Sequence, residues 1–223
     1  MRVQSVTPRK TIVVADERSA TCCLIVEGFF SGHKGVGEGA LQITSFHLPG
    51  DIPDLQTILF KRADFSVSAL TPGVVALIPH IAFHEALAAA PALGHSLWRL
   101  SLGATLIGRE WLCSVGRRTA YQRMAHLFCE LYVRMRALGL AQDSSIQLPL
   151  TQAELADALG LSAVHVNRTL QQLRRDGVIE CRRNWLVIID WPRLRDAADF
   201  DAGYLTRAAE QNTAAETSGG RCE

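Results

Sequence analysis

No stretch of the 223 residues offers the roughly 20 uninterrupted apolar positions that a helix needs to cross a bilayer. The most apolar segment, residues 73–94, is broken by Pro79, His80, His84, Glu85 and Pro91. The opening MRVQSVTPRKTIVV has no apolar core of a secretory signal, so a cytoplasmic location with reduced thiols is expected. Excess charge of either sign is missing too. Lys and Arg number 23 against 22 Asp and Glu, so any affinity for a polyanion must come from a local cluster. Cys22, Cys23, Cys113, Cys129, Cys181 and Cys222 include no CxxC pair and no zinc-type Cys/His spacing. Adjacent Cys22 and Cys23 would point to opposite faces of a strand, which makes them poor joint ligands. No metal or cofactor is therefore expected, and the thiols read as small core hydrophobes. Catalytic signatures are equally scarce: there is no nucleophile motif and no paired carboxylate site. GHKGVGEG has glycines but not the strand–helix setting of a phosphate loop, and a hairpin turn accounts for it. An enzyme is not expected.

With 48% hydrophobic and 20% charged residues, the composition is that of a globular protein. Within residues 11–77, the runs TIVV, TCCLIVEGFF, ALQITSFHL and DFSVSAL are rich in β-formers. ADERS, GHKGVGEG and LPGDIPD punctuate them, a pattern that predicts a small β-barrel or roll. Residues 79–90 turn helical. From Ala92 to Val115, the positions Leu93, Leu97, Leu100, Ala104, Ile107 and Trp111 recur at alternating steps of four and three. One narrow stripe suits a second copy of the chain better than a broad core face, so these six are the expected dimer contacts. A second helix is expected over 118–138, where Tyr121, Met124, Phe128, Leu131 and Met135 make a wide apolar face and Gly139 closes it. The small polar tail beyond Arg207 is expected to be disordered.

Residues 150–189 carry the strongest motif. Thr151 and Glu154 have capping-box spacing, Leu155, Ala156 and Leu159 give the first helix a buried side, and Gly160 allows a tight turn. Ser162 can cap the next helix. There Val166, Leu170 and Leu173 fix an inward stripe, leaving Val164, Arg168, Gln171 and Arg175 outward with His165 and Asn167 on the flanks. Gly177 ends that helix, and two short strands then turn at residues 182–184, with Arg182 and Arg183 at the tip, placed to touch phosphates. This is the order of a winged helix-turn-helix that reads the major groove. A small helical domain with a solvated polar face is the plainer alternative, and it does not account for cap, turn, stripe and wing together.

LTQAELADALGLSAVHVNRTLQQLRRDGVIE resembles the DNA-binding signature of the Crp/Fnr family of bacterial transcription regulators, and the likeness extends over residues 11–200. The resemblance implies an α+β chain. A cyclic-nucleotide-binding-like β-roll (jelly roll) would occupy residues 1–90, a long dimerisation helix 91–116, and a winged helix-turn-helix domain 117–207, with a tail at 208–223. It implies double-stranded DNA with a near-palindromic operator, a second copy of the chain, and RNA polymerase as partners. Arg168 corresponds to the family's guanine-contacting arginine, a fork suited to O6 and N7. Ser162 and His165 fall at phosphate-contact positions, and Asn167 at a position used for base discrimination in one branch. Val164 departs from the usual glutamate and can only contact a thymine methyl, so a different half-site is expected.

The effector region departs further. Gly50-Asp51-Ile52-Pro53-Asp54 replaces the loop of cyclic-AMP-binding members, and Ala63-Asp64 stands where Arg-Ser would clamp the phosphate, with Arg62 one place off. A carboxylate repels phosphate and Pro53 removes a backbone donor, so control by cyclic AMP is not expected. Cys22-Cys23 lacks the spacing of an iron–sulfur branch. A haem site would need an axial ligand; His33, His47, His80 and His84 are candidates, and each reads more simply as a surface or hydrogen-bonded histidine. The effector is unknown. The segment before TIVV reads as too short for the helix and first strand that precede it in such folds, so either the start lies upstream or the roll is abbreviated. The alternative function is a small-ligand, metal or redox sensor acting through the roll and through Cys22, Cys23 and Cys113, with DNA binding secondary.

Overall fold

The computed structural model describes residues 1–37 and 39–206; Arg207 and the expected tail at 208–223 lie outside the described residues. The chain begins with strands β1 (Arg2–Val6), β2 (Thr11–Val13), β3 (Thr21–Glu27), β4 (Phe30–Val36) and β5 (Ala40–His47). After the short α1 (Thr57–Phe60) come β6 (Ser66–Ala69) and β7 (Gly73–Pro79). These strands form two antiparallel sheets, ordered β1-β7-β3 and β2-β6-β4-β5. Val6, Ile25, Phe30, Val67 and Val75 fill the space between them, so the roll interior is a packed apolar core.

Two expectations need correcting. A strand does precede TIVV: β1 pairs with β7 from Arg2↔Leu77 to Val6↔Gly73. Its signal is faint because only Val6 of the five residues is buried. TCCLIVEGFF is not one strand but two, divided at Gly28, whose φ of +101° suits glycine. A Cβ on Gly28 would lie 2.9 Å from Gly73 Cα and 3.0 Å from Pro72 O, so the chain turns where a side chain cannot fit. GHKGVGEG contributes its first half to β4 as well as supplying the turn into β5.

Helices α2 (His80–Ala89), α3 (Ala92–Arg117) and α4 (Ala120–Ala137) follow. Thr119 and Gln122 form a capping box that breaks the chain sharply between α3 and α4. Next come β8 (Ala141–Gln142), β9 (Ser145–Gln147), α5 (Gln152–Leu159), α6 (Ala163–Arg175), β10 (Ile179–Arg182), β11 (Trp185–Ile188), α7 (Trp191–Ala198) and α8 (Gly203–Thr206). The late strands make one antiparallel sheet ordered β10-β11-β9-β8. Among the described residues no helix is long and apolar enough to cross a membrane.

The roll and the helical half share a core. Phe29, Ile43, Phe46 and Leu48 join Met124, Phe128 and Leu131 of α4 and Leu155 and Leu159 of α5 in one apolar cluster. Polar ties reinforce it: Arg134 donates to Phe46 O at 3.0 Å and to Asp51 Oδ2 at 3.1 Å. Gln42 Nε2 donates to the Asp157 carbonyl at 2.6 Å. Fully buried Glu130 accepts from Trp111 Nε1 at 3.1 Å and Tyr204 OH at 3.0 Å, with Arg134 Nη1 at 3.4 Å.

The six-residue stripe on α3 is only partly covered by the chain's other described residues. Leu97 packs on Cys22, Ile58 and Phe83, and the Trp111 ring meets Phe46 edge-on with centroids 5.6 Å apart. Leu93 and Ile107 are partly buried, while Leu100 and Ala104 are exposed. The open side carries Trp98, Leu102 and Leu112, which are 72%, 62% and 74% exposed. Helix α3 has two apolar rows, and their spacing alone does not say which one the chain covers itself.

Candidate nucleic-acid interface

Helix α5 begins at a reciprocal cap: Glu154 N donates to Thr151 Oγ1 at 3.2 Å, and Thr151 N donates to Glu154 Oε2 at 2.7 Å. Gly160 ends it in the left-handed region at φ +61°. The chain can then re-enter a helix at once, with Ser162 Oγ accepting from His165 N at 3.3 Å. On α6, Val166, Thr169 and Leu173 are buried. Leu170 of the expected inward stripe is partly buried and packs against the same core, with Thr169 beside it donating its hydroxyl to His165 O at 2.9 Å.

The outward row is Val164, Arg168, Gln171 and Arg175, all exposed, with Val164 at 81%. His165 and Asn167 sit at its edges, and both are engaged. Arg168 Nη2 lies 2.7 Å from His165 Nε2. Because a guanidinium can only donate, that ring nitrogen must be the unprotonated acceptor. Asn167 Nδ2 donates to Gln152 Oε1 at 3.3 Å, and Gln171 Nε2 donates to Asn167 Oδ1 at 2.9 Å.

The wing is β10 and β11, paired from Ile179↔Ile188 to Arg182↔Trp185. Arg183, at φ +53°, stands at its tip. Arg182 is not free as expected: its guanidinium grips Glu180 at 2.7 and 2.9 Å. The arginine holds the Glu180 carboxyl below its ordinary range. Residues i and i+2 of a strand share a face, so the spacing of Glu180 and Arg182 is the sequence signal for this pair. Between α6 and the wing lies an open trough of about 600 Å³, lined by Gln171, Arg174, Arg175, Gly177, Ile179 and Glu180. Arg174 is a lining residue that helical phase alone set aside, although the Arg174-Arg175 pair signalled a basic end to the helix.

The effector region of the roll is built differently from a phosphate clamp. Asp51 Oδ2 accepts from Leu48 N at 2.9 Å as well as from Arg134. Asp54, buried, accepts from Cys23 N at 2.8 Å, and burial pushes its carboxyl up to about 6. Arg62 donates to Asp16 O, while Asp64 pairs with Lys34 at 3.1 Å. His47 and His80 are held by Ser45 and Thr57 at 2.9 and 3.1 Å. Burial pushes the Cys22 and Cys23 thiols up to about 11 and about 12, so neither is a reactive thiolate at neutral pH. Among the described residues no group of three or more His, Cys, Asp or Glu is placed to hold a metal.

Comparison with known proteins agrees with this geometry. Residues 122–197 match the family model of the Crp-like helix-turn-helix domain. The chain is 28% identical over 200 residues to the transcriptional activator protein FnrL of Cereibacter sphaeroides, a match covering 86% of this chain and 79% of the relative. It is 28% identical over 176 residues to the nitrogen fixation regulation protein FixK of Azorhizobium caulinodans, covering 78% and 70%. The solved structure of FixK2 from Bradyrhizobium japonicum superposes with a TM-score of 0.81 at 25% identity, over 90% of this chain and 98% of that one.

Proposed function

We propose that this chain, a Crp/Fnr-type transcription regulator with a Crp-like helix-turn-helix domain, binds a near-palindromic operator as a homodimer and reads each half-site chiefly through Arg168. The observation that carries this reading is the open row on α6. From Ala163 to Arg175 the helix has three arginines and no acid, and its outward positions are solvent-exposed while Val166, Thr169 and Leu173 anchor the other side. Arg168 sits mid-row with its guanidinium braced by His165, a fork matched to guanine O6 and N7. Val164 presents a bare methyl pair to the groove, suited to a thymine methyl. The trough beside it, with Arg174 and Arg175, is the natural seat for the phosphates of one strand.

Two copies pair along α3 through Trp98, Leu102 and Leu112, apolar side chains that the chain itself leaves in water. This replaces the six-residue stripe as the dimer seam. Pairing sets the two heads on successive major grooves, about 34 Å apart. Control by cyclic AMP is not part of this reading, since Asp64, paired with Lys34, stands where the resemblance implies a phosphate clamp. RNA polymerase is the partner through which a regulator of this kind acts. The sensor alternative draws no support from Cys22 and Cys23, which are buried and protonated.

The test is a salt-dependent gel shift on an operator selected from random duplexes. Arg168→Ala should cost the selected site roughly 1–3 kcal/mol against a changed base, while leaving non-specific binding nearly intact. Full retention of specificity would refute the assignment.

A further inference from the structure

On the reading that α6 enters the major groove, we infer that Gln171 reads an adenine in each half-site and that Gln152, on α5, is the residue that positions it. A hydrogen-bonded chain of three amides carries this. Gln171 Nε2 donates to Asn167 Oδ1 at 2.9 Å, and Asn167 Nδ2 donates to Gln152 Oε1 at 3.3 Å. Run in either direction, this chain engages one side of the Gln171 amide and still leaves it an acceptor and a donor, while Gln152 holds the far end in place. Gln152 itself belongs to the first turn of α5, whose start is locked by the Thr151–Glu154 cap.

The consequence falls at the open end. Gln171 is left with Oε1 as an acceptor and one Nε2–H as a donor, both on an exposed side chain in the row of Val164 and Arg168. Adenine presents the complementary pair in the major groove, an N6 amino donor beside an N7 acceptor. Guanine offers two acceptors, O6 and N7, which would set O6 against Oε1. Thymine O4 is likewise an acceptor, and cytosine can make only one of the two bonds. Gln171 lies three residues beyond Arg168, about 4.5 Å along the helix axis. Since base pairs are spaced about 3.4 Å apart, the adenine belongs within one or two base pairs of the guanine read by Arg168.

The experiment uses the full chain and a half-site obtained by selection from random duplexes, followed by competition binding with each base at each position. The expected result is an adenine adjacent to the position that Arg168→Ala relaxes, with its replacement costing roughly 5- to 150-fold. Gln171→Ala should abolish that preference alone. Replacing that adenine with 7-deazaadenine should weaken wild-type binding and leave Gln171→Ala unaffected. Gln152→Leu should flatten the preference several-fold while non-specific affinity and thermal midpoint stay unchanged. Gln152→Glu retains an acceptor for Asn167 and should keep the preference, even where its charge weakens binding to every sequence alike. A guanine or thymine at that position, or a preference indifferent to Gln171→Ala, overturns the inference. So does a Gln152→Leu variant that lowers affinity equally for all sequences. Failure to select any site would instead overturn the DNA-reading function on which it rests.

Discussion

Arg134→Ala tests the joint between the roll and the head. Arg134 contacts the Phe46 carbonyl and Asp51 of the roll, and Glu130 of its own helix. Glu130 is 0% exposed, so its charge has no water to fall back on. Removing one partner of a buried ion pair costs roughly 3–5 kcal/mol. Trp111 and Tyr204 would still donate to Glu130, which places the loss near the lower end, about 3 kcal/mol. For a chain of this size that is a fall in Tm of roughly 6–12 °C. The deficit should also depend on pH with a definite sign. Burial already raises the Glu130 carboxyl, and Arg134 is the largest influence holding it down. Without Arg134 the folded-state pKa rises further above its unfolded value. The folded form then holds the proton across a wider window, and stability falls as pH climbs through it. The variant should therefore be nearest to wild type in mild acid and furthest from it above neutrality. Circular dichroism melts of both proteins across pH 5 to 8.5 measure this. A deficit under about 1 °C, or one that is constant with pH, would refute the assignment of Glu130 as a charge neutralised by Arg134.

Asp54→Asn should lessen the loss of stability that the wild type shows as pH rises from about 4 to about 6, the span over which the buried carboxyl ionises. A shift of this size corresponds to about 3 kcal/mol at most, and denaturant titrations at pH 4.5 and 7 would show whether the slope changes. Leu102→Glu combined with Leu112→Glu should yield a monomer by light scattering and reduce operator affinity at least a hundredfold, because each head would bind its half-site alone; an unchanged dimer mass would return the seam to Leu93–Trp111. Glu180→Gln should release Arg182 for phosphate contact, steepening the plot of log affinity against log salt by about one for each protomer; an unchanged slope would mean that Arg182 stays away from DNA.

The helix-turn-helix was legible because its determinants are local. Thr151 and Glu154 are three residues apart, Gly160 sits at the turn, and Val166 and Leu173 repeat on one face, so the residues that define the unit also position it. Strand β1 was not legible, since a single inward residue in five gives no alternation to detect. The phase of α3 is ambiguous for another reason. Its Leu93–Trp111 and Trp98–Leu112 rows are both apolar, and the choice between them depends on Phe46, Cys22 and Phe83, residues from distant parts of the chain. The side-chain pairings on the reading face divide the same way. Glu180 and Arg182 share a strand face two residues apart and could have been found, whereas Gln152 meets Asn167 only once α5 and α6 have packed.

A net charge of +1 and a role on DNA are reconciled by where the acids of the head are placed. Residues 150–189 hold five arginines and four acids, a balance that on its own argues against a polyanion partner. Three of the four carboxylates have a partner away from the reading row. Glu154 closes the α5 cap, Asp176 accepts from the Tyr121 hydroxyl at 2.8 Å, and Glu180 is spent on Arg182. Asp157 stands on the part of α5 whose carbonyl receives Gln42 of the roll. The positive charge left on the reading side is Arg168 and Arg175 on α6, Arg174 in the trough and Arg183 on the wing. Three of these suit phosphates and one a base, so a dimer would neutralise about six phosphates, and its affinity should fall roughly a thousandfold between 50 and 200 mM salt. The field is local, set by which side chains pair across the head, and the total charge of the chain has little to do with it.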